Sequence, residues 1–310
     1  MKNIRIVLVE TAGALNLGSV ARVMQNMGLS ELWLVNPRCD RFSDDAQIMA
    51  VRAKSILAQA KIVDRLPDAL VGCQRAIATA GRITTTSSTG EQAGFSPETL
   101  PISDPRLGMT WLMEVDRSAI VFGAEDRGLS NAELQYCQRA IRIPVSDDYP
   151  SLNLAQAVAI CCYEVRLAYE ARQNPAFLGN SHVSELSLQE RSLRESARRH
   201  ASPLGESPKI STSQMAEDLV QSPTIDESQT IAASKIPDLS APLDRVEAFY
   251  VQLEAVLLKI GYLYPHTAFR RMQKLRQLFN RAHLTSSEVS MLRGIIRQIN
   301  WAILDRFSDR

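Results

Sequence analysis

The chain has 310 residues, of which 45% are hydrophobic and 22% charged, an ordinary globular composition that leaves room for more than one domain. Its net charge is only +1, so the chain as a whole has no strong field for nucleic acid, although a balanced total can hide an uneven distribution. Five cysteines without Cys-x-x-Cys spacing argue against a disulfide framework and a metal site. With no apolar run of signal-peptide or membrane length, we expect a cytoplasmic protein without membrane partners.

Short apolar segments alternate with helical ones through the first 172 residues. β-branched residues are concentrated in IRIVLVE, LWLVNP, RAIATA, AIVFGAE and RAIRIPV, whereas SVARVMQNMG and AVRAKSILAQA carry helical spacing. Strands separated by helices are typical of a parallel sheet with helices on its faces. From Leu154 onward, apolar residues recur every three or four positions, which predicts a buried helix. We therefore predict an α/β domain over residues 1–172.

Two polar residues precede that buried helix. Asn153 and Gln156 form a capping-box pattern, and Ser151 would cap equally well if the helix began two residues earlier. One helix needs only one cap. Either one of the two is redundant, or one of them faces a ligand, because a helix N-terminus offers free N–H groups to an anion or a carbonyl oxygen.

The composition changes after this domain. Residues 173–240 are rich in serine with scattered prolines, which predicts a flexible linker. Helical periodicity returns in three segments of residues 241–310, the last opened by a capping box of Thr285 and Glu288. We predict a small three-helix domain there. It has eleven Lys and Arg against six Asp and Glu, a net charge of +5, so the positive charge is concentrated at the C-terminal end.

The second helix of this tail has a basic face. Its cations are Arg270, Lys274 and Arg281, flanked by Arg271 and Arg276. A solvated surface is the usual explanation of a charged helix face. Here the same helix has almost no acidic residues to pair with these cations, which favours phosphate binding.

Two junctions of the α/β domain carry unusual polar residues. The first strand-to-helix junction has two glycines that do not make G-x-G-x-x-G, so a nicotinamide dinucleotide is not expected. It places Asn16 in the turn and Arg22 on an otherwise apolar side of the helix, where an exposed structural arginine is the alternative. A later strand runs into Gly123 and Glu125, and glycine after a strand often lets another group approach the backbone. Each junction alone is weak support for a site.

Together, three segments in this order resemble a known family. They are N-L-G-S-V-A-R-V-M-Q-N-M-G (16–28), F-G-A-E-D-R-G-L-S (122–130) and I-P-V with S-L-N-L-A-Q-A-V (143–158). They are similar to the three motifs of the SPOUT superfamily of RNA methyltransferases, in its TrmH-like branch of 2′-O-ribose methylases. The resemblance implies a trefoil knot in the C-terminal part of the α/β domain, a homodimer, and S-adenosyl-L-methionine (SAM) as the cofactor bound in the knot.

The resemblance also implies a set of site residues. Arg22 is the central catalytic residue, as a general base or as the group that stabilises the ribose alkoxide; the second role suits a guanidinium better, because its pKa lies above about 12. Glu125 is expected to orient Arg22, with the reverse division of roles left open. The other catalytic residues are Asn16, Ser151 and Asn153. The cofactor-binding residues are Thr79, Ala80, Gly81, Gly123, Ile143, Ser151, Leu152 and Asn153.

The C-terminal residues 270–295 resemble, more narrowly, the tail of the subfamily that methylates ribose thirty-two of the tRNA anticodon loop. This implies a tRNA 2′-O-methyltransferase acting on cytidine or uridine. A loop basic residue, Arg82, is kept, whereas Thr84 stands where a second arginine is expected. The alternatives are methylation of ribosomal RNA or of another tRNA position, and a catalytically silent RNA-binding protein. The basic tail argues against the first, and the retained Arg22 and Asn153 argue against the last.

Overall fold

The computed structural model describes residues 1, 3–80, 100–174 and 240–308. Within it, Met1–Gln173 and Asp238–Arg310 fall in one compact unit. The predicted linker lies almost entirely outside the described residues, as do Gly81, Arg82 and Thr84.

Seven strands form one sheet in which every pairing is parallel, as the alternating sequence predicts. The strands are β1 (Ile4–Val9), β2 (Glu31–Val35), β3 (Lys61–Val63), β4 (Arg75–Thr79), β5 (Ile102–Ser103), β6 (Ser118–Phe122) and β7 (Arg139–Ile141). Their order across the sheet is β3-β2-β1-β6-β4-β7-β5. The five strands expected from the β-branched segments are confirmed. The edge strands β3 and β5 were not predicted, because neither lies in one of the longer β-branched segments that marked the other five.

Ten helices accompany the strands in the described part of the chain. They are α1 (Ala14–Met27), α2 (Asp44–Ala50), α3 (Lys54–Gln59), α4 (Leu66–Ala69), α5 (Pro105–Leu112), α6 (Asn131–Leu134), α7 (Leu154–Gln173), α8 (Leu243–Lys259), α9 (Pro265–Ala282) and α10 (Ser286–Ser308). The helical stretch expected over AVRAKSILAQA is interrupted. Val51 has a positive φ of 53°, so α2 ends at Ala50, and α3 begins at Lys54.

Both faces of the sheet are covered, which explains why the central strands lack a polar side. Ile6 and Leu8 belong to one core with α1 and α7, whereas Val7 and Val9 point into a second core on the opposite face. Burial of this kind is the main source of free energy for folding the domain.

The C-terminal helices have a core of their own, built around Phe249, as the predicted three-helix domain requires. The capping box is present: Glu288 accepts from the Thr285 amide at 2.8 Å, and the Thr285 hydroxyl accepts from the Glu288 amide at 3.3 Å. This tail also contacts the α/β domain, since the Leu243 amide donates to the Cys73 carbonyl at 2.7 Å and the Gly72 amide to Asp244 at 2.9 Å. These contacts lie at the amino end of β4, so the tail is docked rather than only tethered.

The trefoil knot stays a prediction, because the chain between Ala80 and Leu100 lies outside the described residues. Among the described helices, none combines the length and the apolar character needed to cross a membrane. All five cysteines are free thiols, and burial raises the pKa of Cys73 to about 11, so its thiol stays protonated and unreactive at neutral pH.

Candidate active site

The predicted site residues gather at the carboxyl edge of the sheet. Because all strands are parallel, the segments that follow β1, β4, β6 and β7 emerge at the same edge. Thr79 ends β4, Gly123 follows β6, and Ile143 follows β7 by two residues. In open α/β sheets this edge is the usual place for a ligand.

Three polar side chains from three distant segments are bonded to one another there. Oε1 of Glu125 accepts from Nδ2 of Asn16 at 3.2 Å. The other end of that amide, Oδ1 of Asn16, accepts from Nδ2 of Asn153 at 2.9 Å. The residues come from the three segments that carry the family resemblance. Folding therefore joins those segments through a continuous hydrogen-bonded chain.

Glu125 also holds the backbone of the loop between β1 and α1. Its two carboxylate oxygens accept from the amides of Ala12 and Gly13, each at 3.1 Å. α1 has no acidic residue in its own first turn, so this carboxylate supplies the negative charge that a helix N-terminus favours. Partial burial works to raise the pKa of Glu125, but hydrogen bonds from backbone amides and Asn16 outweigh it and lower the pKa, which keeps the group ionised.

Glu125 was expected to orient Arg22, but in the structure its carboxylate bonds to other groups. The carboxylate is occupied by Ala12, Gly13 and Asn16, all at the start of α1. Arg22 lies two turns further along that helix, is exposed, and has no carboxylate partner among the described residues. Within the described residues, Glu125 therefore holds the loop between β1 and α1 rather than Arg22.

The entrance of α7 resolves which polar residue is the cap. α7 begins at Leu154, and Oδ1 of Asn153 accepts from the backbone amide of Ala155 at 2.9 Å. The backbone amide of Asn153 donates to Oε1 of Gln156 at 3.3 Å. Asn153 caps the helix with its oxygen and reaches Asn16 with its nitrogen. Ser151 is exposed and makes no hydrogen bond within the described residues. Its hydroxyl is therefore available to a ligand.

Gly123 is required by a close approach of the chain to itself. A Cβ atom at this position would lie 2.1 Å from the carbonyl carbon of Gly128, where no side chain fits. The Gly128 amide donates to the Ala124 carbonyl at 2.8 Å, so the segment folds back on itself before α6. The group that approaches this glycine in the described chain is the backbone of its own loop, and the assignment of Gly123 to cofactor binding stays a prediction.

The remaining cofactor candidates in the described chain frame the same edge. The Thr79 hydroxyl donates to the Val121 carbonyl at 3.1 Å, and the Ala80 amide donates to the Ile141 carbonyl at 3.0 Å. Ile143 and Leu152 are half-buried apolar side chains. The rim therefore combines fixed backbone with apolar surface, which is the usual make-up of a small-molecule site.

Sequence reasoning missed a group of ion pairs beside Glu125. Arg38, which follows β2, pairs with Glu10 and with Asp126, both at 3.3 Å, and Arg127 pairs with Glu10 at 3.2 Å and with Glu133 at 2.9 Å. The Arg38 guanidinium, through its hydrogen bond, lowers the pKa of Asp126. No sequence spacing identifies these partners, because they lie on separate segments; the run of charges in G-A-E-D-R-G was the only available signal.

The basic face of α9 is divided by the structure. Arg276 is 9% exposed and donates to both oxygens of Glu247 on α8, at 2.5 and 2.6 Å, with its guanidinium 4.4 Å from the centre of the Tyr250 ring. The prediction that Arg276 meets RNA is therefore corrected: its acidic partner comes from a neighbouring helix. The other four cations, Arg270, Arg271, Lys274 and Arg281, are exposed.

Comparisons with known proteins agree with this geometry. The sequence profile of the SpoU rRNA Methylase family matches residues 3–163, and that of the tRNA methyltransferase TrmJ C-terminal domain matches residues 244–307. The chain is 35% identical over 303 residues to a tRNA (cytidine/uridine-2′-O-)-methyltransferase TrmJ of Cronobacter sakazakii, covering 96% of each chain. It is 34% identical over 302 residues to the Klebsiella pneumoniae protein of the same name, covering 96% of this chain and 97% of that one.

A solved structure supports the fold over nearly the whole chain. TrmJ from Z. mobilis ZM4 superimposes with a TM-score of 0.64 at 23% identity, covering 96% of this chain and 98% of the other. The resemblance found in the three motif segments is confirmed by these matches. The chain belongs to the SpoU methylase family.

Proposed function

We propose that this protein is a SAM-dependent tRNA 2′-O-ribose methyltransferase that modifies cytidine or uridine at ribose thirty-two of the anticodon loop. The observation that carries the proposal is the hydrogen-bonded chain Glu125–Asn16–Asn153, which unites the three family motifs at one edge of the sheet. The relatives of matching length bear the name tRNA (cytidine/uridine-2′-O-)-methyltransferase, and the match of residues 244–307 favours tRNA over ribosomal RNA.

The residues at the carboxyl edge fit SAM. Leu152 and Ile143 offer half-buried apolar surface for an adenine ring, and Ser151 offers a hydroxyl without a partner in the described chain. Thr79, Ala80 and Gly123 supply backbone that is fixed by its own hydrogen bonds and close packing. When bound, SAM would supply a methyl group made electrophilic by the adjoining sulfonium. Gly81, outside the described residues, completes the proposed set.

The chain's own contribution to methyl transfer is to hold and polarise the ribose. Arg22 is exposed and has no carboxylate partner in the described chain, so its guanidinium can bind the target phosphate. It can also stabilise the negative charge that develops on the ribose oxygen as the hydroxyl proton passes to solvent water and the oxygen takes the methyl group. Asn16 and Asn153 are held by each other and by Glu125, which fixes their positions before substrate arrives. Such fixed positioning supplies much of the rate in a transfer between two bound molecules.

The tail supplies affinity for tRNA in this proposal. Arg270, Arg271, Lys274 and Arg281 are exposed cations along α9, which suits contacts with successive phosphates. Arg82, outside the described residues, is a further candidate. The domain division that follows is a methyltransferase domain at 1–172, a linker at 173–240 and a tRNA-binding domain at 241–310.

A symmetric homodimer and a cytoplasmic location belong to the same proposal. Large apolar side chains remain exposed on α1 and α7, with Leu15 54% and Tyr163 50% exposed, and a second copy would cover such surface. We expect the helix that carries Arg22 to lie near this interface. A monomeric mass at micromolar concentration, with methylation intact, would refute the dimer.

The activity is tested with the purified full chain, SAM and matched RNA substrates. We expect methyl transfer to an unmodified tRNA transcript and none to the same tRNA with a 2′-deoxyribose at position thirty-two. Methylation of the deoxy substrate would place the target at another nucleotide. Transfer only to ribosomal RNA would replace the substrate class, and cofactor binding without transfer to either RNA would indicate a silent binding protein.

A further inference from the structure

The ion pairs made by Arg38 and Arg127 lie beside Glu125 and can fix the position of its loop. Asp126 and Arg127 follow Glu125 directly in the chain, and both are paired outside their own loop. Arg38 reaches Asp126 with two nitrogens, each 3.3 Å from a carboxylate oxygen. A two-point contact of this kind fixes direction as well as distance. The loop that presents Glu125 is thereby tied to the segment that follows β2.

Glu10 connects these pairs to the end of β1. Its carboxylate meets Arg38 at 3.3 Å and Arg127 at 3.2 Å, and its carbonyl oxygen accepts from Nε of Arg38 at 3.2 Å. Glu10 has φ 51°, a left-handed conformation that non-glycine residues rarely adopt unless surrounding contacts hold it. Ala12 and Gly13, whose amides bind Glu125, come two and three residues later. Arg38 therefore holds both sides of this contact. Through Asp126 it holds the loop of the acceptor, Glu125, and through Glu10 it holds the segment of the donor amides.

We propose that Arg38 is a positioning residue for the methyltransferase site, acting through Asp126 and Glu10 to hold Glu125 against the start of α1. This inference rests on the proposed function. In the described chain, the Arg38 side chain bonds to Glu10 and Asp126 and not to Asn16 or Asn153, so its effect on these two passes through Glu125, which holds Asn16. The claim is about geometry rather than stability, because the side chains of Arg38 and Asp126 are 42% and 64% exposed, and pairs so exposed contribute little to folding.

The experiment compares four variants with the parent protein: Arg38→Met, Asp126→Asn, their combination, and Arg38→Lys. Arg38→Met should lower kcat about tenfold, since misplacing a site by a fraction of an ångström costs rate, while KM for tRNA changes less than about twofold. The double variant should lose no more than Arg38→Met, because both act through one contact. Arg38→Lys should recover part of the rate. Arg65→Met is the matched control, because it breaks an exposed ion pair, with Asp68 on α4, that includes none of the residues bonded to Glu125.

A second measurement needs no activity. Hydrogen exchange at the amides of Ala12 and Gly13 should accelerate in Arg38→Met and stay unchanged in Arg65→Met. An unchanged kcat with unchanged exchange would overturn the proposal, as would a fall in thermal stability that accounts for the lost rate, or losses that multiply in the double variant. If the parent protein methylates no RNA, the proposed function fails, and the exchange data still decide whether Arg38 holds the loop.

Discussion

The carboxyl edge of the sheet and the basic face of α9 use charge in opposite ways. At the sheet edge, ionic and amide groups from separate segments are bonded to one another, and Arg22 stands apart from them without a carboxylate in the described chain. On α9, neighbouring cations have different surroundings: Arg276 is buried against Glu247, while Lys274, two positions earlier, is exposed. A residue's role therefore follows from what reaches it in space. The predictions below test that distinction.

The largest effect is expected at Arg22. Arg22→Ala should lower kcat by about 10²–10³-fold, the usual cost of removing a donor that stabilises developing charge. SAM affinity and thermal stability should stay at parental values, because the side chain is exposed and holds no other residue in the described chain. Titration with SAM measures the cofactor affinity, and single-turnover methylation measures the rate of methyl transfer. Loss of SAM binding along with activity would mean that Arg22 belongs to the cofactor pocket.

A stability effect should separate the two kinds of cation on α9. Arg276→Met should destabilise the protein by about 3 kcal/mol, because it leaves the Glu247 carboxylate without its partner in a partly buried place. Lys274→Met, on the exposed side of the same helix, should stay within about 0.5 kcal/mol of the parent. Urea unfolding gives both values. Equal losses of unfolding free energy in Arg276→Met and Lys274→Met would show that the two cations do not differ in their contribution to stability.

The exposed cations should be visible in salt dependence. Replacing Arg270, Lys274 and Arg281 together by Gln should flatten the plot of log affinity against log salt by up to about two to three units, at roughly 0.7–0.9 per phosphate contact. SAM binding should not change. The matched control is a triple Gln variant of Arg65, Arg117 and Arg245, exposed arginines outside α9. A parental slope in the α9 variant would make its basic face an ordinary solvated surface.

This triple variant is a cleaner test of the tail than truncation after residue 172. Leu243 packs against the second core of the α/β domain, and its amide binds the Cys73 carbonyl. Removing the tail would expose that surface, so a loss of activity would have two explanations.

The smallest effect is expected in the pH dependence of the stability that Glu125 contributes. Burial works to raise the pKa of Glu125, but hydrogen bonds from backbone amides and Asn16 outweigh it and hold the pKa below the ordinary value of a glutamate. A lowered folded-state pKa contributes stability above the unfolded value, and that stability is lost as pH falls through the folded value. Glu125→Gln should therefore melt below the parent at pH 7, by no more than about 2–4 °C, and the gap should close as the pH falls through the folded-state pKa of Glu125. A gap that is constant with pH would show that the charge is not what holds the loop.

The sequence predicted the elements well where the period was long enough to read. The five strands expected from β-branched segments, α1, α7 and the three C-terminal helices are confirmed, as is the capping box at Thr285. The sequence did not predict the break in AVRAKSILAQA, where the apolar spacing of a helix continues across Val51 but the helical backbone is interrupted. Periodicity reports which face a residue occupies, and it contains no information on where a left-handed residue interrupts a helix.

By itself, the sequence determined the parallel α/β architecture, the helical tail and the three motif segments, because propensity, capping and apolar spacing are local properties. Only the tertiary structure decided which polar groups meet. Glu125 and Asn16 are 109 positions apart, Asn153 and Asn16 are 137 apart, and Arg276 finds Glu247 on another helix. The physical reason is that a hydrogen bond or an ion pair acts over about 3 Å in space, whatever the distance along the chain, and the packing of the parallel sheet sets that separation.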